Sequence, residues 1–229
     1  MSGLSQWLQQ LEFGSLFEIV VVVASSLLCI TVHEVCHGLT AFWMGDDTAK
    51  RKGRLSLNPL RHVDPMGLVI MALVHFGWAK PVPINMNKFG HPKQGMALTA
   101  LAGPVSNLIL MVAAVIAKVF ALIGFYRHNG DLWYYLVLFF DYTATLSAGL
   151  AVFNLFPVPP LDGSKVLFSL LPDKAYGKLM RYEKYGMILL ALALLLGLLD
   201  APLQYLRNNL LDGAYALATP LFSFLQARL

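Results

Sequence analysis

The sequence predicts an all-α polytopic membrane protein with about four to six transmembrane helices, a re-entrant segment and a short membrane-associated β-element. Of its 229 residues, 57% are hydrophobic and 13% are charged, whereas a soluble domain has about a quarter of its residues charged. The mean hydropathy of +0.62 indicates the same class. A chain of this length is predicted to form a single membrane-embedded domain over 1–229, with its core at about 15–172 and a C-terminal part at 185–229.

Four stretches are apolar enough, and about long enough, for membrane-spanning helices of roughly 20 residues; they lie at 17–44, 96–125, 132–157 and 185–200. The stretch 66–78 is apolar but too short, so we expect a re-entrant segment there, covered by protein. Residues 50–57 alternate partly, which predicts an edge strand that could receive an extended substrate. The tail at 202–229 is apolar with polar interruptions, which predicts an interfacial or packed amphipathic helix, or a second weak span.

The basic residues predict the topology. Most of the 17 Lys and Arg residues lie in two loops, one around the segment 66–78 and one after the third predicted span. Because basic loops stay on the cytoplasmic side of a membrane, both are expected there. Residues 1–49 contain no Lys or Arg, so we expect the N-terminus outside, in a multi-pass protein of a prokaryotic cell membrane. The net charge of +4 follows from this topology and requires no nucleic-acid partner.

A chemically informative motif lies toward the inner end of the first predicted span, where residues 33–37 form an H-E-x-x-H pattern. On a helix, His33 and His37 are one turn apart on one face, and their ring nitrogens can bind one zinc ion. Glu34 between them can take a proton from a water molecule that the metal activates. The segment therefore combines the residues of a hydrolytic zinc site with a membrane-spanning helix.

A catalytic zinc site needs a third protein ligand, and Asp162 is the strongest candidate. It follows the third predicted span, at the cytoplasmic side where the first span also ends. Prolines within 157–160 break the helix before it, as happens where a broken membrane helix lines a protein or aqueous cavity. On local sequence alone, Asp162 would be the N-cap of a helix at 164–171. Its shared side and depth with the H-E-x-x-H motif favours the ligand role.

His62 and Asp64 are alternative sources of the third ligand, because they follow the first basic loop on the same side of the membrane. The composition of residues 58–65, with two prolines and an Asn, fits a turn better. We therefore favour Asp162.

The two motifs together resemble the site-2 protease family of intramembrane zinc metalloproteases, peptidase family M50. The first motif is the H-E-x-x-H of 33–37, and the second is N-x-x-P-x-x-x-x-D-G, formed by Asn154, Pro157, Asp162 and Gly163. The resemblance covers about residues 15–172. The resemblance is to a short form of the family, because a chain of this length is not expected to hold the PDZ or CBS domains of larger relatives.

The resemblance implies that one Zn²⁺ per chain is bound by His33, His37 and Asp162. It implies that Glu34 is the general base and later the proton donor, and that Asn154 holds the substrate or the oxyanion. The implied reaction is hydrolysis of peptide bonds within or near the transmembrane segments of protein or peptide substrates, as in regulated intramembrane proteolysis.

One face of the second predicted span carries Gly95, Thr99, Gly103 and Asn107, which recur every four residues. The first three favour close helix packing. Asn107 is larger and needs a hydrogen-bond partner in the bilayer, so we expect it to support the site. Lys118, farther along this span, is expected to extend toward the outer interface.

Two other functions remain open at this point. In a zinc carrier or transporter, the histidines and the aspartate would bind an ion in transit, and polar ligands would then occur at several depths. An inactive relative would only bind transmembrane helices, although an intact Glu34 argues against this.

Overall fold

The computed structural model describes residues 16–64, 66–67 and 79–228, which form seven α-helices. We number them α1 Leu16–Trp43, α2 Thr48–Arg51, α3 Pro92–His128, α4 Asp131–Leu155, α5 Asp162–Ser169, α6 Asp173–Leu195 and α7 Asp200–Gln226. The described residues contain no strand, only one isolated antiparallel bridge between Val63 and Ala79. The predicted all-α polytopic class is confirmed.

Three helices, α1, α3 and α4, are long and apolar enough to cross a membrane, as predicted for the first three stretches. Helix α3 extends beyond its apolar stretch at both ends. It begins at Pro92, because the first turn of a helix does not use the backbone N–H that proline lacks. It ends before Asn129, whose φ of 41° lies in the left-handed region that commonly terminates helices. These three helices pack against one another and form the centre of the bundle.

The C-terminal region differs from the prediction of a span at 185–200. The apolar part of α6, Tyr185–Leu195, meets α7 at an angle of 85°, and the pair counts as one span at most. The direction changes at Gly197, whose φ of 67° is readily adopted only without a side chain. An 11-residue arm is about 16 Å long, roughly half of the hydrocarbon thickness. It cannot cross by itself.

The predicted amphipathic tail is helix α7, and it packs against the bundle. Ala214 and Ala218 are buried in a cluster with Met111 and Val115 of α3 and Ala148 of α4. Because alanine has a short side chain, α7 approaches both neighbours closely. The structure thus shows a packed helix, and α7 together with Tyr185–Leu195 forms the fourth candidate span.

Two sequence-based expectations concern the segment between α1 and α3. The edge strand at 50–57 is wrong, because residues 48–51 form the helical turn α2, which begins where the Thr48 N–H donates to Asp46 Oδ1 over 2.9 Å. The re-entrant segment at 66–78 lies outside the described residues, apart from 66–67. The turn at 58–65 is confirmed in its described part: Asn58 caps the 3-10 helix Pro59–Arg61.

Lys118 has polar partners inside the bundle that its sequence position did not indicate. Its ammonium group donates to Asp141 of α4 and to the Tyr215 hydroxyl of α7, and that hydroxyl donates to Asp141 over 2.8 Å. A charge within a membrane span is stabilised by such a partner. The two partners lie 23 and 97 residues away in sequence, so the position of Lys118 alone could not identify them.

Candidate metal centre

Three side chains of the ligand types that zinc prefers converge between α1 and α5. His33 Nε2 and His37 Nε2 are 3.0 Å apart, and they lie 3.2 and 3.1 Å from Asp162 Oδ2. A tetrahedral zinc ion with bonds of about 2.0–2.1 Å would hold its ligand atoms about 3.3 Å apart. All three residues are buried. Among the described residues, no other three His, Cys, Asp or Glu side chains lie close enough together to hold one metal ion.

Asp162 reaches the histidines because the chain turns sharply after α4. Prolines within 157–160 prevent the helix from continuing, and α5 begins at Asp162 itself. A Cβ on Gly163 would lie 2.2 Å from the Leu155 carbonyl oxygen, so only glycine allows α5 to approach the end of α4 this closely. Pro157 and Gly163, which belong to the second sequence motif, thus shape the turn that presents Asp162.

The alternative role for Asp162 as a helix cap is wrong. The N-cap position is Leu161, and no side chain caps this helix. Burial would raise the pKa of Asp162, but the neighbouring His33 and His37 side chains and the charge of Lys165 outweigh it and hold the pKa below its ordinary value. The carboxylate is therefore ionised and available to bind a cation.

The second ring nitrogen of His37 fixes its tautomer. His37 Nδ1 lies 2.7 Å from the Thr99 carbonyl oxygen, which can only accept, so Nδ1 carries the proton. The lone pair then remains on Nε2, which faces His33 and Asp162. An imidazole held in this way by a backbone carbonyl is the usual arrangement of a metal-binding histidine.

Asn107 supports His33 in a related way. Its amide Nδ2 lies 3.2 Å from His33 Nδ1, while its Oδ1 is buried without a hydrogen-bond partner among the residues that the structure describes. If His33 Nε2 offers its lone pair to a metal, Nδ1 carries the proton and requires an acceptor. Exchanging the two ends of the amide supplies that acceptor and gives Oδ1 its partner. The hydrogen-bond balance therefore fits a metal ion at Nε2, and Asn107 lies where a supporting residue was expected.

Gly103 makes room for the two imidazoles, a role that the helix-packing interpretation of its sequence pattern missed. A Cβ built at this position would lie 2.4 Å from His37 Nε2 and 2.6 Å from His33 Cε1. Real Cβ atoms essentially never approach other atoms so closely. Helix α3 therefore contributes an open surface against which both rings rest.

We expect Gly103→Ala to weaken zinc binding about 100-fold, the upper end of what changes around metal ligands cause, because the new methyl group displaces both imidazoles. Zinc affinity is measured by competition with a chelator. Gly213→Ala is the matched control, since it adds the same methyl group to α7 where no atom lies within 4 Å. Equal zinc affinity for Gly103→Ala and the wild type would contradict this role.

Glu34 and Asn154 border one cavity of about 400 Å³ that adjoins the three converging side chains. The carboxylate of Glu34 accepts a hydrogen bond from the Val82 N–H, with 2.8 Å between Oε2 and nitrogen. Asn154 Nδ2 donates to the Leu150 carbonyl over 3.0 Å, which uses one of its two N–H groups. The contact from Val82 could not be predicted from the sequence, because a backbone donor leaves no signal in the residue type.

The cavity is lined by both polar and apolar residues. The polar lining includes Asn154, Asp162 and Lys165, and Lys165 Nζ lies 3.7 Å from Asp162 Oδ1. The apolar lining comes from α3, α6, the turn after α4 and the segment before α3; its residues are Ala79, Pro81, Val82, Ile84, Met96, Ala100, Pro160 and Met187. Lys165 was not singled out by its sequence, although its place three residues after Asp162 puts both on one face of α5.

His62 and Asp64 do not join the metal centre. His62 Nε2 lies 2.8 Å from the Ser56 carbonyl oxygen, and Asp64 Oδ1 accepts hydrogen bonds from the N–H groups of Met66 and Gly67. Both side chains stabilise the loop around residues 56–67. The preference for Asp162 over these two residues agrees with the geometry.

Proteins with similar sequences are named as putative zinc metalloproteases. The sequence model of peptidase family M50 matches residues 119–198. The chain is 37% identical to "Putative zinc metalloprotease YwhC" of Bacillus subtilis over 171 residues. These residues make up 73% of this chain and 76% of that protein. It is 27% identical to "Putative zinc metalloprotease Rip2" of Mycolicibacterium smegmatis over 77% of this chain and 67% of that protein. No solved structure matches the chain.

Proposed function

The chain belongs to peptidase family M50, the site-2 protease family of metalloproteases, and from this premise we propose that it cleaves membrane-protein substrates within or near their transmembrane segments. The observation that carries the proposal is the convergence of Asp162 with three residues of α1, His33, Glu34 and His37. Helix α1 is apolar enough to cross a membrane. Hydrolytic residues and the lipid phase thus occur in one place.

In the proposed reaction, His33, His37 and Asp162 hold one zinc ion per chain. When bound there, zinc supplies a Lewis acid that acidifies water and polarises a carbonyl group. Glu34 takes the proton from the water that attacks the scissile carbonyl carbon, and delivers it to the amine nitrogen as the C–N bond breaks. The free N–H of Asn154 donates to the oxyanion, a contribution that can be worth about 3–4 kcal/mol.

The location in a membrane span determines the kind of substrate. A transmembrane helix satisfies its own backbone hydrogen bonds, so its carbonyl groups must be freed by local unwinding before water can attack. The polar residues that line the cavity can receive the freed backbone, while apolar lining residues such as Ile84, Met96 and Ala100 can receive an aliphatic side chain. Both features suit a segment leaving the lipid phase.

We place the metal centre toward the cytoplasmic side of the membrane. The histidines lie in the second half of α1, which ends next to the basic residues around 50–54, and α3 begins on the same side near Lys93. Basic loops mark the cytoplasmic face. The named relatives are bacterial, and we propose the prokaryotic cell membrane as the location, with the N-terminus outside.

The apolar residues that line the cavity predict a substrate preference that Ala100→Leu should change. Ala100 is 2% exposed and borders the cavity, so the larger side chain fills space that a substrate side chain needs. We expect the relative kcat/KM for a leucine over an alanine beside the scissile bond to fall about 10-fold or more. Ala113→Leu, on an exposed part of α3, is the control. An unchanged preference in Ala100→Leu would contradict the assignment.

The function is tested with purified protein, zinc and a panel of single-span substrates, whose products are mapped by mass spectrometry. We expect cleavage within or near the span, and we expect it to stop when a chelator removes zinc. A zinc carrier instead predicts zinc flux into liposomes without cleavage. The absence of cleavage across the panel, with zinc bound and the protein folded, would reject the protease function and leave an inactive helix-binding relative.

A further inference from the structure

One peptide group links Glu34 to a buried arginine. The Val82 N–H donates to Glu34 Oε2 over 2.8 Å, and Arg54 Nη2 donates to the Pro81 carbonyl over 3.3 Å and to the Lys80 carbonyl over 2.6 Å. The Pro81 carbonyl and the Val82 N–H belong to the same peptide unit. We propose that Arg54 is a positioning residue that holds Glu34 through the Pro81–Val82 peptide group. The inference rests on the proposed function of Glu34 as the general base.

The peptide unit transmits the position of Arg54 because it is planar and rigid. In a trans unit the oxygen and the N–H hydrogen point in opposite directions, so Arg54 and Glu34 bind its two ends. A cation at the carbonyl also polarises the unit and strengthens its N–H as a donor. The arrangement is a short chain of charge-assisted hydrogen bonds from guanidinium to carboxylate.

The sequence around Val82 leaves the carboxylate one backbone donor. Pro81 and Pro83 have no N–H, so Val82 carries the only backbone N–H of this three-residue stretch. Each proline also fixes its own φ and restricts the residue before it to extended conformations. Val82 is thus held in a rigid extended segment beside Glu34.

The segment is anchored on both sides of this contact. The Lys80 N–H donates to the His62 carbonyl over 2.9 Å, and the Asn85 N–H donates to Asp46 Oδ2 over 2.6 Å. Asp46 is fully buried, and the hydrogen bonds from Thr48 and Asn85 outweigh its burial and lower its pKa. These contacts fix the ends of the segment, while Arg54 fixes its centre.

Burial makes the contribution of Arg54 specific. Arg54 is 8% exposed and Val82 is 6% exposed, so water competes little for these hydrogen bonds. The planar guanidinium reaches two adjacent carbonyl groups through one nitrogen, whereas a lysine ammonium is a point charge on a flexible stem. With Oε2 held by Val82, Oε1 is the carboxylate oxygen that exchanges the proton with water.

The test compares Arg54→Met, Arg54→Lys and the control Arg51→Met, which removes an exposed arginine that pairs with Asp47. Two readouts are used on zinc-loaded protein in detergent. The first is the amide-proton chemical shift of Val82 after ¹⁵N-valine labelling, assigned with Val82→Leu. The second is the separation of kcat from KM with a single-span substrate.

In Arg54→Met we expect the Val82 amide proton to move upfield and kcat to fall about 10-fold, part of the roughly 10²–10⁴-fold that a general base contributes. KM and zinc content stay at wild-type values, and Arg54→Lys restores part of both effects. An unchanged Val82 shift would overturn the proposal whether or not the protein is a peptidase. Loss of zinc and folding in Arg54→Met, without recovery in Arg54→Lys, would reduce Arg54 to a structural residue and overturn it as well.

Discussion

Glu34→Gln is expected to bind zinc like the wild-type protein and to lose about 10²–10⁴-fold in kcat, the range that general acid–base catalysis contributes. Glutamine has nearly the same shape, and its amide oxygen can still accept the hydrogen bond that Val82 gives to Glu34 Oε2. It cannot take a proton from water. The change therefore separates proton transfer from folding and metal binding.

The measurement for Glu34→Gln is single-turnover cleavage of a membrane substrate at saturating enzyme, together with zinc content. Glu18→Gln is the control, because it changes the glutamate in the first turn of the same helix, far from the cavity. Wild-type turnover by a zinc-loaded Glu34→Gln protein would show that another group carries the proton. It would also remove the premise for the role of Arg54.

Asp162→Ala is expected to lose zinc itself. The variant keeps His33 and His37 but removes the third ligand atom, which lies 3.2 and 3.1 Å from theirs. Loss of a direct ligand should cost more than the roughly 10–100-fold in metal affinity that changes in supporting residues cause. Cleavage is expected to fall with zinc content.

Zinc affinity of Asp162→Ala is measured by chelator competition, with helix content from circular dichroism to confirm folding. Asp200→Ala is the matched control, since Asp200 begins α7 and lies outside the metal centre. Full zinc affinity in a folded Asp162→Ala protein would mean that a different residue completes the site.

The helices and the ligand set could be predicted because their signals are strong and local. Hydropathy identifies α1, α3 and α4, and the pair of motifs brings His33 and Asp162 to one side of the membrane. The bend after α6 could not be predicted from hydropathy, because the apolar composition continues through Gly197. The glycine at this position permits the left-handed backbone but does not require it.

The residues around the ligands were harder to predict, since their patterns fit more than one role. Gly103 belongs to a row of small residues that helix packing explains equally well, and only the position of both imidazoles shows what the missing side chain allows. Val82 acts through its backbone N–H, and Arg54 acts through the Pro81–Val82 peptide group. Such contacts depend on how distant segments meet.

X-ray absorption at the zinc edge, with one equivalent of zinc added to the wild-type protein, tests the proposed metal centre most directly. We expect two imidazole nitrogens and oxygen ligands at about 2.0–2.1 Å, and the loss of this signal in Asp162→Ala. A sulfur ligand at about 2.3 Å would implicate Cys36, which lies within the H-E-x-x-H motif. Such a ligand, or an unchanged zinc signal in Asp162→Ala, would contradict the site formed by His33, His37 and Asp162.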